Sequence, residues 1–216
     1  MGLSFSNAHG SAKKSELEYI KLELGETRFR LVGDILPRYC YWKKLKGGAS
    51  IPVECLAFDR EQERFTNMER DYFRESFPDE KCVWSYAVQA IDLKDNKLKL
   101  LGLKKKLFAQ IQELAAEIGD PTDPVTGWDC IVDKKSTGNH AFNVEYKLKD
   151  RLIEVRALSD DEMEIIKDIK SIDAIIPRPT AEAQKAFIDQ AWLSGAEEEK
   201  NVDPAAVDEL DDDIPF

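Results

Sequence analysis

Hydrophobic and polar residues alternate along much of residues 1–150, the pattern of strands with one buried face. Residues 16–24 set Leu17, Tyr19 or Ile20, Leu22 and Leu24 against charged neighbours, and Gly25-Glu26 marks a turn. Residues 27–41 alternate again, with Phe29, Leu31 and Ile35 opposed to Arg28 and Arg30. Two strands with a tight connection are predicted here. Gly33 and Pro37 predict a bulge or bend in the second. Residues 51–58 suit a short strand. Residues 59–79 are strongly charged and place Phe65, Tyr72, Phe73 and Phe77 at no clean period, so no element is assigned to them.

Beyond residue 81 the pattern sharpens. Residues 81–93 and 97–103 are rich in strand formers around a Lys94-Asp95-Asn96 turn, which predicts a hairpin. Residues 104–118 repeat apolar positions at three and four (Leu107, Ile111, Leu114, Ala115, Ile118), the face of an amphipathic helix that Gly119 and Pro121 end. Residues 120–127 form a turn. Residues 128–134 and 141–148 are two further strands, joined through Ser136-Thr137-Gly138-Asn139. Ser159 and Glu162 have capping-box spacing before a helix containing Met163, Ile166 and Ile169. Thr180 can cap a second, with Ala183, Phe187 and Ala191 in step.

The succession strand, strand, strand, helix, strand predicts a mainly β chain with helices (α+β). Its expected form is an OB-fold: a five-stranded Greek-key barrel with an inserted helix, two short C-terminal helices and a disordered acidic tail. The expected units are a flexible arm over residues 1–15, a core over 16–150, a helical extension over 151–194 and a tail over 195–216. From residue 195 onward the segment is dominated by acidic residues, with only scattered apolar positions before Ile214, too few to build a core.

Composition narrows the function. Of the 216 residues, 43% are apolar, enough for a core, and no run approaches the roughly 18 apolar residues of a membrane span. Met1 to Asn7 carry no basic segment followed by an apolar run, so no secretory signal is expected. The net charge of −11 would ordinarily argue against nucleic acid. Its distribution removes that objection. Residues 1–150 carry 24 Lys and Arg against 24 Asp and Glu, whereas residues 195–216 carry nine acidic residues and one lysine. Cys40, Cys55, Cys82 and Cys130 lack knuckle spacing and are expected as small core residues; neither metal nor cofactor is expected. There is no Walker loop, nucleophile elbow or HExxH, so the chain is expected not to be an enzyme.

Basic and aromatic residues interleave in several places. Arg38-Tyr39-Cys40-Tyr41-Trp42-Lys43-Lys44, with Lys46 beyond, is the densest. Trp84 and Tyr86 share a strand face. Lys104, Lys105 and Lys106 open a helix against the preference of its dipole, although with its N–H groups they suit a phosphate. Lys134, Lys135, Tyr146 and Lys147 lie on the last hairpin, and Arg28 and Arg30 on the early strand. Positive grooves with stacking rings are what single-strand binding requires. These eighteen residues are the candidate DNA contacts.

Asp211-Asp212-Asp213-Ile214-Pro215-Phe216 offers carboxylates for steering and an apolar anchor with little ordering cost. It resembles the C-terminal tip of bacterial single-stranded DNA-binding proteins, which implies docking onto partner enzymes. Arg28-Phe29-Arg30-Leu31, Leu36-Pro37, Trp84, Lys99-Leu100-Leu101-Gly102-Leu103 and the run Gly119-Asp120-Pro121-Thr122-Asp123-Pro124-Val125-Thr126-Gly127 resemble the helix-destabilising single-stranded DNA-binding proteins of tailed phages. That resemblance spans roughly residues 16–150. It implies an OB-fold core, a basic N-terminal arm supporting cooperative self-association on DNA, and an acidic recruiting tail. Some members carry a zinc subdomain with closely spaced cysteines, a spacing this chain lacks. A tyrosine common beside the family's tryptophan is Val83 here.

The expected function is therefore to coat and protect single-stranded DNA, with little sequence preference, during replication, recombination and repair in a bacterial cytoplasm. The expected partners are polymerase, primase-helicase and nuclease of phage or host. The alternatives are a strand-annealing recombination mediator and an acidic decoy for host repair enzymes.

Overall fold

Residues 17–45, 48, 50–138 and 143–193 are described by the computed structural model, and they form a mainly β architecture with packed helices. The arm, Lys46, His140 and the tail, with Asp211 to Phe216, lie outside the described residues. The organising element is β1 (Gly25–Lys44), a 20-residue strand. It pairs antiparallel along most of its length with β5 (Cys82–Asp92), over its first residues with β7 (Asp129–Ser136), and over its last with β2 (Ser50–Glu54). β6 (Lys97–Leu103) joins β5, and β8 (Val144–Leu148) joins β7, giving the order β6-β5-β1-β7-β8 with β2 also on β1. Between Val32 and Ile35 the β1–β5 register shifts. Gly33 takes φ 69° there, a left-handed conformation that favours glycine. This bulge is the one the sequence predicts, and it lets one strand change partners along its length. The arrangement is consistent with a β-barrel-like OB fold.

One sheet face buries Phe29 and Leu31 of β1, Val88 and Ala90 of β5, Leu101 and Leu103 of β6, Cys130 and Val132 of β7, and Leu148 of β8. Helix α2 (Lys105–Ile118) lays Leu107 and Ile111 against this core, as its period predicts. Numbering in chain order, α1 is Tyr72–Ser76, α3 Asp160–Ile166, α4 Ile172–Ile175 and α5 Ala181–Ile188. On the other face Leu36, Ala87 and Leu100 are covered by Ile172 of α4.

Three expectations change. Residues 17–24 form no strand paired with β1; they cross the edge of β6, where Ile20 N–H donates to the Leu100 carbonyl at 2.7 Å and Tyr19 makes one bridge. Alternation reported one buried side, Ile20, without specifying which neighbour buries it. The first connection holds β2, which overlaps the short strand expected over residues 51–58, and beyond it α1 and a small hairpin of β3 (Phe58–Asp59) and β4 (Arg64–Phe65), so the main sheet has six strands among the described residues. Among the described residues the extension has three α-helices, not two, because Ser171 caps α4 through Ala174 N–H, and α5 runs on into a π-helical turn over Asp189–Leu193. The capping box at Ser159 and Glu162 and the Thr180 cap both form.

Candidate nucleic-acid interface

Register brings the aromatic residues together. Tyr39 lies directly opposite Trp84, and Pro37 opposite Tyr86, in the β1–β5 ladder. Trp84 and Tyr86, two apart on one strand, therefore share a face with Tyr39. Ring centroids of Tyr39 and Trp84 are 4.8 Å apart, edge to face, and those of Trp84 and Tyr86 4.9 Å. Tyr86 stacks on Phe108 of the first turns of α2 at 3.7 Å. At the other end the β3–β4 hairpin sets Phe58 and Phe65 against Tyr39, both at 4.8 Å. The result is a continuous aromatic run from the hairpin to the helix. Phe65 is 46% exposed, Tyr86 is buried, and Tyr39, Trp84 and Phe108 are half-buried.

Cations gather at the helix end of this run. Lys104 is the N-cap residue of α2, and Lys134 lies opposite Tyr146 in the β7–β8 ladder. Their Nζ atoms are 5.3 and 5.7 Å from the Tyr146 ring centroid. Burial, and then the charge of Lys134, pulls Lys104 below the ordinary lysine range. Burial pushes the phenols of Tyr39, Tyr86 and Tyr146 up, so they stay neutral hydrogen-bonding groups. Lys105 and Lys106 are exposed at the start of α2.

The structure thus groups Tyr39, Trp84, Tyr86, Lys104, Lys134 and Tyr146, with Lys105 and Lys106 beside them. Tyr86, buried with its ring stacked on Phe108, is packing behind this group and not a free face, and two further candidates are taken out. Arg30 is fully buried; its Nη2 donates to the Asp123 carbonyl at 2.7 Å and its Nη1 lies 3.6 Å from Asp129. No face of that guanidinium is left for a phosphate. Tyr41 is buried against Phe73, and its hydroxyl donates to Asp71 at 3.3 Å. Others lie apart from the group. Strand alternation puts Arg28, Arg38, Trp42 and Lys44 on the opposite face of β1, and Arg28 pairs with Glu26. Lys135 and Lys147 point to the side of the last hairpin opposite Lys134 and Tyr146. They line an open cavity of about 830 Å³ that also contains Glu113, Glu117, Asp133 and Asp150. Lys43 is held by Glu80 at 2.8 Å over Phe77.

Sequence reasoning missed Phe58, Phe65 and Phe108. Phe108 was within reach: it follows Lys104 by one helical turn, beside the counted apolar face. Nothing local distinguishes Phe65, whose place depends on a hairpin folding back onto Tyr39. Cys40, Cys55 and Cys130 are buried and Cys82 half-buried, all as free thiols. Among the described residues no group of three or more His, Cys, Asp and Glu side chains could hold a metal ion. Nor is any helix among them long and apolar enough to cross a membrane.

The chain is similar to a protein of Escherichia phage T5 called "Probable ssDNA-binding protein", with 28% identity over 262 residues covering 98% of this chain and all of that protein. No family model matches, and no solved structure matches.

Proposed function

We propose that this chain binds single-stranded DNA without catalysing a reaction on it. The observation that carries the proposal is the aromatic run Tyr39–Trp84–Tyr86–Phe108 ending beside Lys104, Lys134 and Tyr146. Rings supply sequence-tolerant stacking of about 1–3 kcal/mol per base, and the lysines supply phosphate attraction. The similarity to the phage T5 protein supports the same reading. In it, β1, β5, β6, β7 and β8 are the five strands of an OB barrel with α2 inserted between the third and fourth. The groove then lies between the long first connection and the last hairpin, the two loops such barrels use for oligonucleotides. The biological setting is replication, recombination and repair. Asp211 to Phe216 recruit partner enzymes by presenting an acidic segment with an aromatic anchor.

Fluorescence polarisation with labelled oligo-dT tests the reading. Binding at low salt is expected, with log affinity falling linearly with log salt at about −0.7 per neutralised phosphate. Equal affinity for a mixed-sequence strand and weaker affinity for duplex are expected alongside. Failure to bind oligo-dT at low salt would overturn the proposal.

A further inference from the structure

Lys104 and Lys134 belong to different elements, yet both ammonium groups sit over one ring. Two constraints put them there. The β7–β8 ladder places Lys134 directly opposite Tyr146. Leu107 and Ile111 seat α2 on the core, and Lys104, immediately before the helix, is carried to the same ring. The ring face attracts each ammonium, but the two like charges repel one another. The repulsion is felt by Lys104, whose charged form is disfavoured by burial and by Lys134. An anion with several acceptor oxygens would reverse the sign of that interaction. α2 adds to the preference, since its first N–H groups carry the positive end of the helix dipole and Lys104 makes no side-chain cap to them.

We propose that Lys104 and Lys134 jointly hold one backbone phosphate of the bound strand, with Tyr146 beneath it and the half-buried rings of Phe108, Trp84 and Tyr39 leading away from it as the stacking surface, buried Tyr86 backing Phe108. This rests on the reading that the face binds single-stranded DNA. A single shared phosphate makes the two lysines one energetic unit rather than two independent contacts. It also fixes the strand's course: the phosphate lies at the helix end, and the bases extend along the aromatic run toward Phe65.

The test compares oligo-dT affinity between 50 and 200 mM salt for the full chain and for K104Q, K134Q, K104Q/K134Q and K104R/K134R. K167Q, in the C-terminal helices and never a candidate contact, serves as control. With one shared phosphate, the double glutamine variant loses about 0.7 from the salt slope, so its affinity gap to wild type narrows about 2.6-fold over that range. Two separately held phosphates would remove about 1.4 and narrow the gap about sevenfold, which would overturn the proposal. An unchanged slope in the double variant would overturn it as well. The double arginine variant should retain the wild-type slope, and K167Q should match wild type. Unchanged melting temperatures separate lost contacts from lost folding. If wild type itself fails to bind oligo-dT at 50 mM salt, both the parent reading and this inference fall. If wild type binds and only the slopes disagree, the shared phosphate alone is lost.

Discussion

Residue by residue, polarity alone misassigned Arg30. Its place in an alternating strand pattern suggested an exposed cation. Its actual partners are main-chain carbonyls of Asp123 and Arg156, 93 and 126 positions away, and no local pattern contains them. They also explain the Gly119–Gly127 run. A Cβ on Gly127 would sit 2.5 Å from Arg30 Nη2 and 2.4 Å from the Asp123 carbonyl, so the loop closes tightly around a buried cation. Arg156 continues this network. It donates to Asp129 at 2.7 Å and grips Glu162 through two bonds of 2.7 Å. Those bonds, with the Ser159 N–H, hold Glu162 at a pKa of about 2 against an ordinary 4.5. Because the folded value is depressed, this stabilisation is complete above pH 4.5 and is lost as the pH falls from there toward 2. With the carboxylate side chain only 6% exposed, the effect should be on the order of 3 kcal/mol. Thermal melts should therefore fall steeply across that window. Glu162→Gln should be less stable than wild type at pH 7 and show a shallower fall. Equal slopes for the two would rule out this carboxylate as the source.

Among the elements, those with a clean internal period were legible. The hairpin of β5 and β6, the helix α2 and the caps of α3 and α5 each follow from spacing within a few residues. Of the first connection only β2 was legible, as the strand expected over residues 51–58; its other short pieces are held by distant partners. Phe73 N–H of α1 donates to Gln184 of α5 at 3.3 Å, and Arg178 reaches the Leu56 carbonyl at 2.8 Å. Even the Phe187 stripe expected for α5 proved to be its outer side, since Gln184 and Ile188 are the buried residues. The β3–β4 hairpin is the functional consequence of this connection. It has two residues per strand and pairs with no other strand in the described chain, and it delivers the most exposed ring of the aromatic run. Phe65→Ala removes a half-exposed ring, so it should cost the fold about 1 kcal/mol or less. If the ring stacks on a base, oligo-dT affinity should fall by about fivefold or more. Melting and polarisation on the same sample separate the two effects. A large drop in melting temperature with unchanged affinity would make Phe65 a packing residue only.

For the molecule as a whole, the question is how a chain with net charge −11 can bind a polyanion. Residues 195–216 contribute eight of those negative charges, and the candidate face gathers Lys104, Lys105, Lys106 and Lys134 at one end. Burial and the charge of Lys134 disfavour the charged form of Lys104. Sequence accounting made the charge asymmetry legible, but not which basic residues share a face. Of the eighteen candidate contacts, strand register divided Lys134 from Lys135 and Tyr146 from Lys147, although each pair is adjacent in sequence. Removing residues 195–216 takes the net charge to −3 and deletes the competing carboxylates. Affinity for oligo-dT should then rise at low salt. The gain should shrink as salt approaches 1 M, where the Debye length falls to about 3 Å and long-range repulsion is screened. A gain that persisted at high salt would mean that the acidic segment acts through specific contacts and not through its charge. No gain at any salt would mean that it neither competes for the lysines nor repels the strand.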